Sequence, residues 1–103
     1  MTRPLFWSRD ALDDLKQQLT HIAADDPVAA QHVVDRLRAA AARLEDFATG
    51  RPGRVPGTYE KSVTGLPYVI AYAIVPHDSG EIIAILRVIH TARDWPDGAW
   101  PAG

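Results

Sequence analysis

The chain has 103 residues, is 47% hydrophobic and 23% charged, contains no cysteine and carries a formal net charge of −2. That length holds one domain, and the lack of cysteine excludes a disulfide scaffold, a thiolate zinc site and a cysteine nucleophile. The apolar runs fall far short of the roughly 20 residues a membrane helix needs, no signal peptide is evident behind Met1, and the acidic balance lacks the basic excess of a dedicated nucleic-acid binder, so a cytoplasmic globular protein is expected.

Leu5, Phe6 and Trp7 predict a short first strand. Ser8 then offers an N-cap oxygen, with Asp10 in the first turn of a helix. Leu12, Leu15, Leu19 and Ile22 recur at spacings of three, four and three, which predicts one apolar helical face. Asp13, Asp14, Lys16, Gln17 and Gln18 fall largely on the other side. Asp25-Asp26-Pro27 breaks the pattern, and Asp26 can cap a second helix with Pro27 at its first position, where a missing N–H does no harm. That helix is predicted from Pro27 to about Phe47, with Ala30, Val33, Val34, Leu37, Ala40, Ala41, Leu44 and Phe47 as its apolar stripe. So short a break between two helices implies an antiparallel hairpin.

Gly50 to Thr58 reads as a loop, because its glycines and prolines forbid helix or central strand. Tyr59–Val63, Tyr68–Val75 and Glu81–His90 read as strands. The turns between them, Gly65-Leu66-Pro67 and Pro76 to Gly80, make an antiparallel meander. The tail from Thr91 to Gly103 is expected to be irregular. The element order is therefore β-α-α-β-β-β. It implies a single two-layer α+β domain, a helix hairpin packed on a curved antiparallel sheet, with four strands if the first one joins.

Four segments carry a resemblance. They are Gly50-Arg51-Pro52-Gly53-Arg54-Val55-Pro56-Gly57-Thr58, Pro67-Tyr68-Val69-Ile70-Ala71-Tyr72, Ile85-Leu86-Arg87-Val88-Ile89-His90, and Ala92-Arg93-Asp94-Trp95-Pro96. In this order, behind a helix hairpin, they resemble the RelE/ParE superfamily of bacterial type II toxin–antitoxin modules. The resemblance implies a small toxin that inhibits growth until a cognate antitoxin, usually encoded beside it, neutralises it. Some relatives cleave mRNA in the ribosomal A site and others poison DNA gyrase, so the fold alone does not fix the target. Binding to gyrase in the ParE manner is the expectation. The alternatives are a RelE-like, metal-independent, ribosome-dependent endonuclease, or a weakened toxin that retains only antitoxin binding. No metal or cofactor is implied.

A metal-free ribonuclease needs a base, an acid and cations for the charged phosphorane. The candidates are His90 as acid or base, Arg87 and Arg93 as phosphate clamps, and Glu60 or Lys61 on the first meander strand. Regular alternation places Arg87 with Ile83, Ile85 and Ile89, and His90 with Leu86 and Val88. The two then point to opposite faces and cannot share a phosphate without a bulge. Arg87 can equally pair with an acid such as Asp94. In relatives with this loop an Arg often follows the Gly-Thr pair, whereas here Tyr59 follows Gly57-Thr58. The strand 68–72 also lacks an Arg. Losing such a donor costs about 2.7–4 kcal/mol of transition-state stabilisation, which Lys61, on the same side as Tyr59, partly replaces.

For contacts with antitoxin or target, Phe6, Trp7, Trp95 and Trp100 are candidate apolar anchors, with ordinary core closure as the competing reading. Arg36 and Arg43, seven apart on the second helix, form a basic stripe facing either an acidic antitoxin or their own neighbours Asp35, Glu45 and Asp46. Arg51, Arg54 and Tyr59 complete the contact set. His21 and His32 fall on helix surfaces and His77 in a turn, without metal-ligand spacing.

Overall fold

The protein is described by a computed structural model that covers residues 3–78 and 80–92. The elements run β1 (Leu5–Trp7), α1 (Arg9–Ala23), α2 (Pro27–Arg43), β2 (Arg51–Pro52), β3 (Tyr59–Ser62), β4 (Tyr68–His77) and β5 (Gly80–His90). Both helix starts follow their capping chemistry. The Ser8 side chain accepts the Ala11 N–H at 3.1 Å, and Asp26 accepts the Ala29 N–H at 3.0 Å with Pro27 next in line.

The strands form one five-stranded sheet in the order β1-β5-β4-β3-β2. The expected meander β3-β4-β5 is antiparallel, with Tyr59 opposite Tyr72 and Tyr68 opposite His90. The first strand does join, but it lies parallel to β5, Leu5 opposite Ile83 and Trp7 opposite Ile85, so the sheet is mixed. A fifth strand comes from the glycine–arginine loop, where Arg51 and Pro52 pair with Glu60 and Tyr59. Pro52 fits there because β2 is an outer edge, where a missing N–H breaks no ladder. The helices share one face of this sheet, and the core lies between the layers. It is built from Ala11 and Leu15 of α1, Leu37 and Ala41 of α2 with Leu44 just beyond it, and Tyr68, Ile70, Tyr72, Ile83, Ile85 and Val88 of β4 and β5.

Three expectations change. The buried residues of α1 are Ala11, Asp14, Leu15 and Gln18, while Leu12 and Leu19 remain 47% and 36% exposed. The helix is rotated from its leucine stripe because two polar side chains, Asp14 and Gln18, have partners on the sheet. α2 ends at Arg43, not at Phe47, because Leu44, Glu45 and Asp46 donate their N–H groups three residues back and tighten the chain out of the helix. Phe47 is consequently 69% exposed. Regular alternation also fails in β5. Ala71 is opposite Arg87 but Tyr72 is opposite Ile85, which leaves Leu86 as a bulge. Ile83, Ile85 and Val88 therefore belong to the helix-facing core, and Arg87 does not share their face.

The rotated phase of α1 is open to direct test. Leu15→Ala should cost about 2–5 kcal/mol in urea unfolding, and Leu12→Ala less than about 1 kcal/mol. The reverse ranking would put the leucine stripe, not the Asp14 face, against the sheet.

Candidate functional site

The β5 edge shows what Arg87 is doing. β1 covers β5 only as far as Ile85, whose carbonyl accepts the Ser8 N–H at 2.9 Å. Beyond that point α1 supplies the partners a strand would have given. The Ser8 hydroxyl donates to the Leu86 carbonyl at 3.1 Å, and the Val88 N–H donates to Asp14 Oδ2 at 2.8 Å. Arg87 closes the same carboxylate from the other side, with Nε on Oδ2 at 2.8 Å and an Nη on Oδ1 at 3.0 Å. This is a fork-to-fork pair, the strongest geometry an Arg–carboxylate contact can take. One turn along α1, Gln18 Oε1 accepts the Tyr68 hydroxyl at 3.0 Å.

A second polar hub lies at the opposite edge. Glu60 is 4% exposed, and its Oε2 accepts the backbone N–H of Arg54 at 2.9 Å while Oε1 lies 3.7 Å from the Arg51 guanidinium. The loop is stitched further by Gly53 N–H on the Thr58 carbonyl at 2.8 Å and the Thr58 hydroxyl on the Val55 carbonyl at 2.6 Å. Gly50 has φ of +151°, and a Cβ there would sit 2.9 Å from the Glu60 carbonyl oxygen, so only glycine lets the chain pass this close. Arg51 and Arg54 both reach the surface from this loop.

Beside β3 the structure opens a groove of about 820 Å³ between α2 and the strand edge. Arg36, Ala39, Ala40, Arg43, Leu44 and Phe47 form one wall, and Lys61 to Thr64 the other. Arg36 also donates to the Thr64 carbonyl, tying α2 to the β3–β4 turn. Tyr59, exposed at the start of β3, stacks on Tyr72 with centroids 5.5 Å apart. The Tyr72 hydroxyl donates to the Thr49 carbonyl at 2.8 Å. Burial raises the Tyr72 pKa from its ordinary value of 10.0, neighbouring Tyr59 raises it further, and the Arg3 charge works against both.

Strand pairing sorts the nuclease candidates onto two faces. Arg51, Glu60, Ala71 and Arg87 lie in register across the sheet, and at the β5 edge the Arg87 side chain reaches Asp14 of α1. Lys61 pairs with Ile70, and His90 with Tyr68, on the helix side. His90 stands edge-on to the Tyr68 ring at 5.1 Å, and its Nδ1 accepts the Ala92 N–H at 3.2 Å. Of the aromatic anchors, Phe6 points outward and is 56% exposed, whereas Trp7 turns inward and packs against the core. Arg93, Trp95 and Trp100, with Asp94, lie outside the described residues. Among the described residues there is no group of three or more potential metal ligands, and no helix is long and apolar enough to cross a membrane. The sequence reading missed Asp14 and Gln18; the one signal available was that both fall in line with Ala11 and Leu15 on a single helical face.

Residues 5–95 match the family described as the ParE toxin of type II toxin–antitoxin systems, parDE. A Sinorhizobium fredii protein, Y4kP, provisionally named a toxin, is 37% identical over 91 residues, which span 87% of this chain and 90% of the relative. Among solved structures, the chromosomal ParDE toxin–antitoxin system from P. aeruginosa superposes with a TM-score of 0.74 at 26% identity, over 84% of this chain and 94% of that one. A YoeB/ParE toxin from Agrobacterium tumefaciens shares the fold at a TM-score of 0.57 and 12% identity, over 82% and 94% of the two chains.

Two outcomes follow from the buried polar contacts. Asp14→Ala leaves the Arg87 guanidinium and the Val88 N–H without their acceptor and should cost about 3–5 kcal/mol, the range for breaking a buried pair. Asp14→Asn, which keeps an acceptor for Val88, should cost clearly less in the same unfolding assay. Tyr72, with its folded pKa raised, holds full stability below pH 10.0 and loses it as pH climbs from there through the folded value. Tyr72→Phe should flatten that alkaline decline, and an unchanged decline would assign it to other groups.

Proposed function

The chain belongs to the ParE toxin family of type II toxin–antitoxin systems, and on that footing we propose that it arrests growth in the cytoplasm by binding DNA gyrase, restrained by its cognate antitoxin. The observation that carries this reading is the division of the nuclease candidates. Acid–base cleavage requires the base, the acid and the phosphate-binding cations to converge on one scissile bond. Here Glu60 and Arg87 lie on one face of the sheet, and Lys61 and His90 on the other. The residues that share the Glu60–Arg87 row are already committed. Arg87 is neutralised by Asp14 and Glu60 is consumed by the arginine loop. The position between them, where a phosphate would need a further donor, holds Ala71.

What remains is a surface suited to gripping a macromolecule. Phe6 and Phe47 are exposed apolar anchors of the kind that dominate protein interfaces. The groove beside β3 offers apolar walls with cations at its rim. The antitoxin partner follows from the family, and its contacts are proposed to draw on Phe6 and the helix hairpin.

Purified toxin should lower DNA supercoiling by gyrase, and normal supercoiling at toxin excess would contradict the proposal. In cells, His90→Ala should leave growth inhibition essentially intact. A nuclease losing a general acid or base would fall by about 100-fold or more. Primer extension should then show intact transcripts, and breaks at the ribosomal A site would move the assignment to RNA cleavage.

A further inference from the structure

The net charge of −2 conceals a segregation of charge. Five of the eleven basic residues, Arg36, Arg43, Arg51, Arg54 and Lys61, lie along the β3 edge of the molecule. Arg36, Arg43 and Lys61 line the groove, and Asp35 is the one carboxylate among its described lining residues. Arg51 stands opposite Glu60, one residue from Lys61, and Arg54 follows in the same loop. Glu60, beside them, is buried, takes the Arg54 N–H and lies 3.7 Å from the Arg51 guanidinium, so it offsets part of one of these charges while holding the loop.

The loop adds a second, independent observation. A connection from α2 to β3 needs no fixed shape, yet this one is held by a buried carboxylate, a threonine clamp and a glycine that only just clears the strand. Burying a carboxylate is a poor route to stability. It is a good route to holding two arginines in place before a partner arrives, which reduces the ordering cost of binding.

We propose that this edge docks the phosphate backbone of DNA, with Glu60 as the residue that positions the Arg51–Arg54 loop. The proposal deepens the gyrase reading and rests on it: the toxin would touch the DNA that the enzyme holds as well as the enzyme. Arginine suits this role, since its planar fork matches phosphate oxygens. The contacts carry no base recognition, so binding is indifferent to sequence and sensitive to salt. An acidic protein surface would meet the same cations, and the test separates the two.

Fluorescence anisotropy of a labelled random-sequence DNA duplex, titrated with the isolated toxin without gyrase, measures the contact. Binding should weaken as salt rises. Because Arg51 and Arg54 are exposed, R51Q/R54Q removes both charges without setting a carboxylate against Glu60; it should weaken binding about tenfold or more and make the slope of log K against log salt shallower by about 1.8, the value for two lost phosphate contacts. Glu60→Ala should weaken binding while leaving that slope unchanged, since it loosens the loop without removing a cation, and Glu60→Gln, which keeps an acceptor for Arg54, should restore most of it. No binding at low salt, or binding indifferent to R51Q/R54Q, overturns the proposal. So does a direct, DNA-free association with gyrase that R51Q/R54Q abolishes, since that would make the edge a protein contact. Supercoiling inhibition that persists without DNA binding removes this proposal and leaves the gyrase reading standing. DNA binding without supercoiling inhibition removes the gyrase reading instead.

Discussion

β1 is only three residues long, while β5 has eleven. A strand edge in a protein interior cannot be left with unpaired N–H and C=O groups, because each would carry its full desolvation cost. The chain meets that constraint by turning straight from β1 into α1 and letting helix side chains continue the work of the strand. Ser8 serves the Leu86 carbonyl, and Asp14 serves the Val88 N–H. The phase of α1 follows from this. If Asp14 and Gln18 must face the sheet, Leu12 and Leu19 are turned toward solvent. The bulge at Leu86 belongs to the same place, where the partner of β5 changes from backbone to side chain.

The same constraint shapes the functional reading. The carboxylate that closes the edge also binds Arg87, so the most suggestive cation of the last strand is a structural ion pair. The pair is largely shielded, in the range where removing one partner is far more damaging than exchanging both. With that cation committed, the described nuclease candidates divide by strand register, Glu60 with Arg87 and Lys61 with His90. The opposite edge carries the cation-lined groove and the arginine loop held by Glu60.

Much of the architecture was legible in the sequence. The helix hairpin and its caps at Ser8 and Asp26, the three strands of the meander and the α+β layering follow from capping residues, apolar period and turn chemistry acting locally. The parallel pairing of β1 was not, since three residues carry no directional signal and the partner lies far along the chain. The two-residue β2 was hidden by its proline, which composition reads as loop. Helix phase failed where leucine spacing competed with buried polar contacts, because periodicity counts hydrophobicity and cannot see the acceptor that Val88 requires. The site followed the same pattern. Strand alternation separated Arg87 from His90 correctly in sense, but the bulge placed Arg87 away from Ile85. Trp7 was turned to the core and Glu60 to the loop by contacts that only the folded chain brings together.

The side-chain closure of the β5 edge is tested most directly by native-state hydrogen exchange at the Val88 amide. If Asp14 holds that N–H, Val88 should exchange as slowly as the amides of the β4–β5 ladder, through global unfolding. Exchange at the rate of an open strand edge, with the neighbouring ladder still protected, would contradict it. The commitment of Arg87 to the fold would then fall with it.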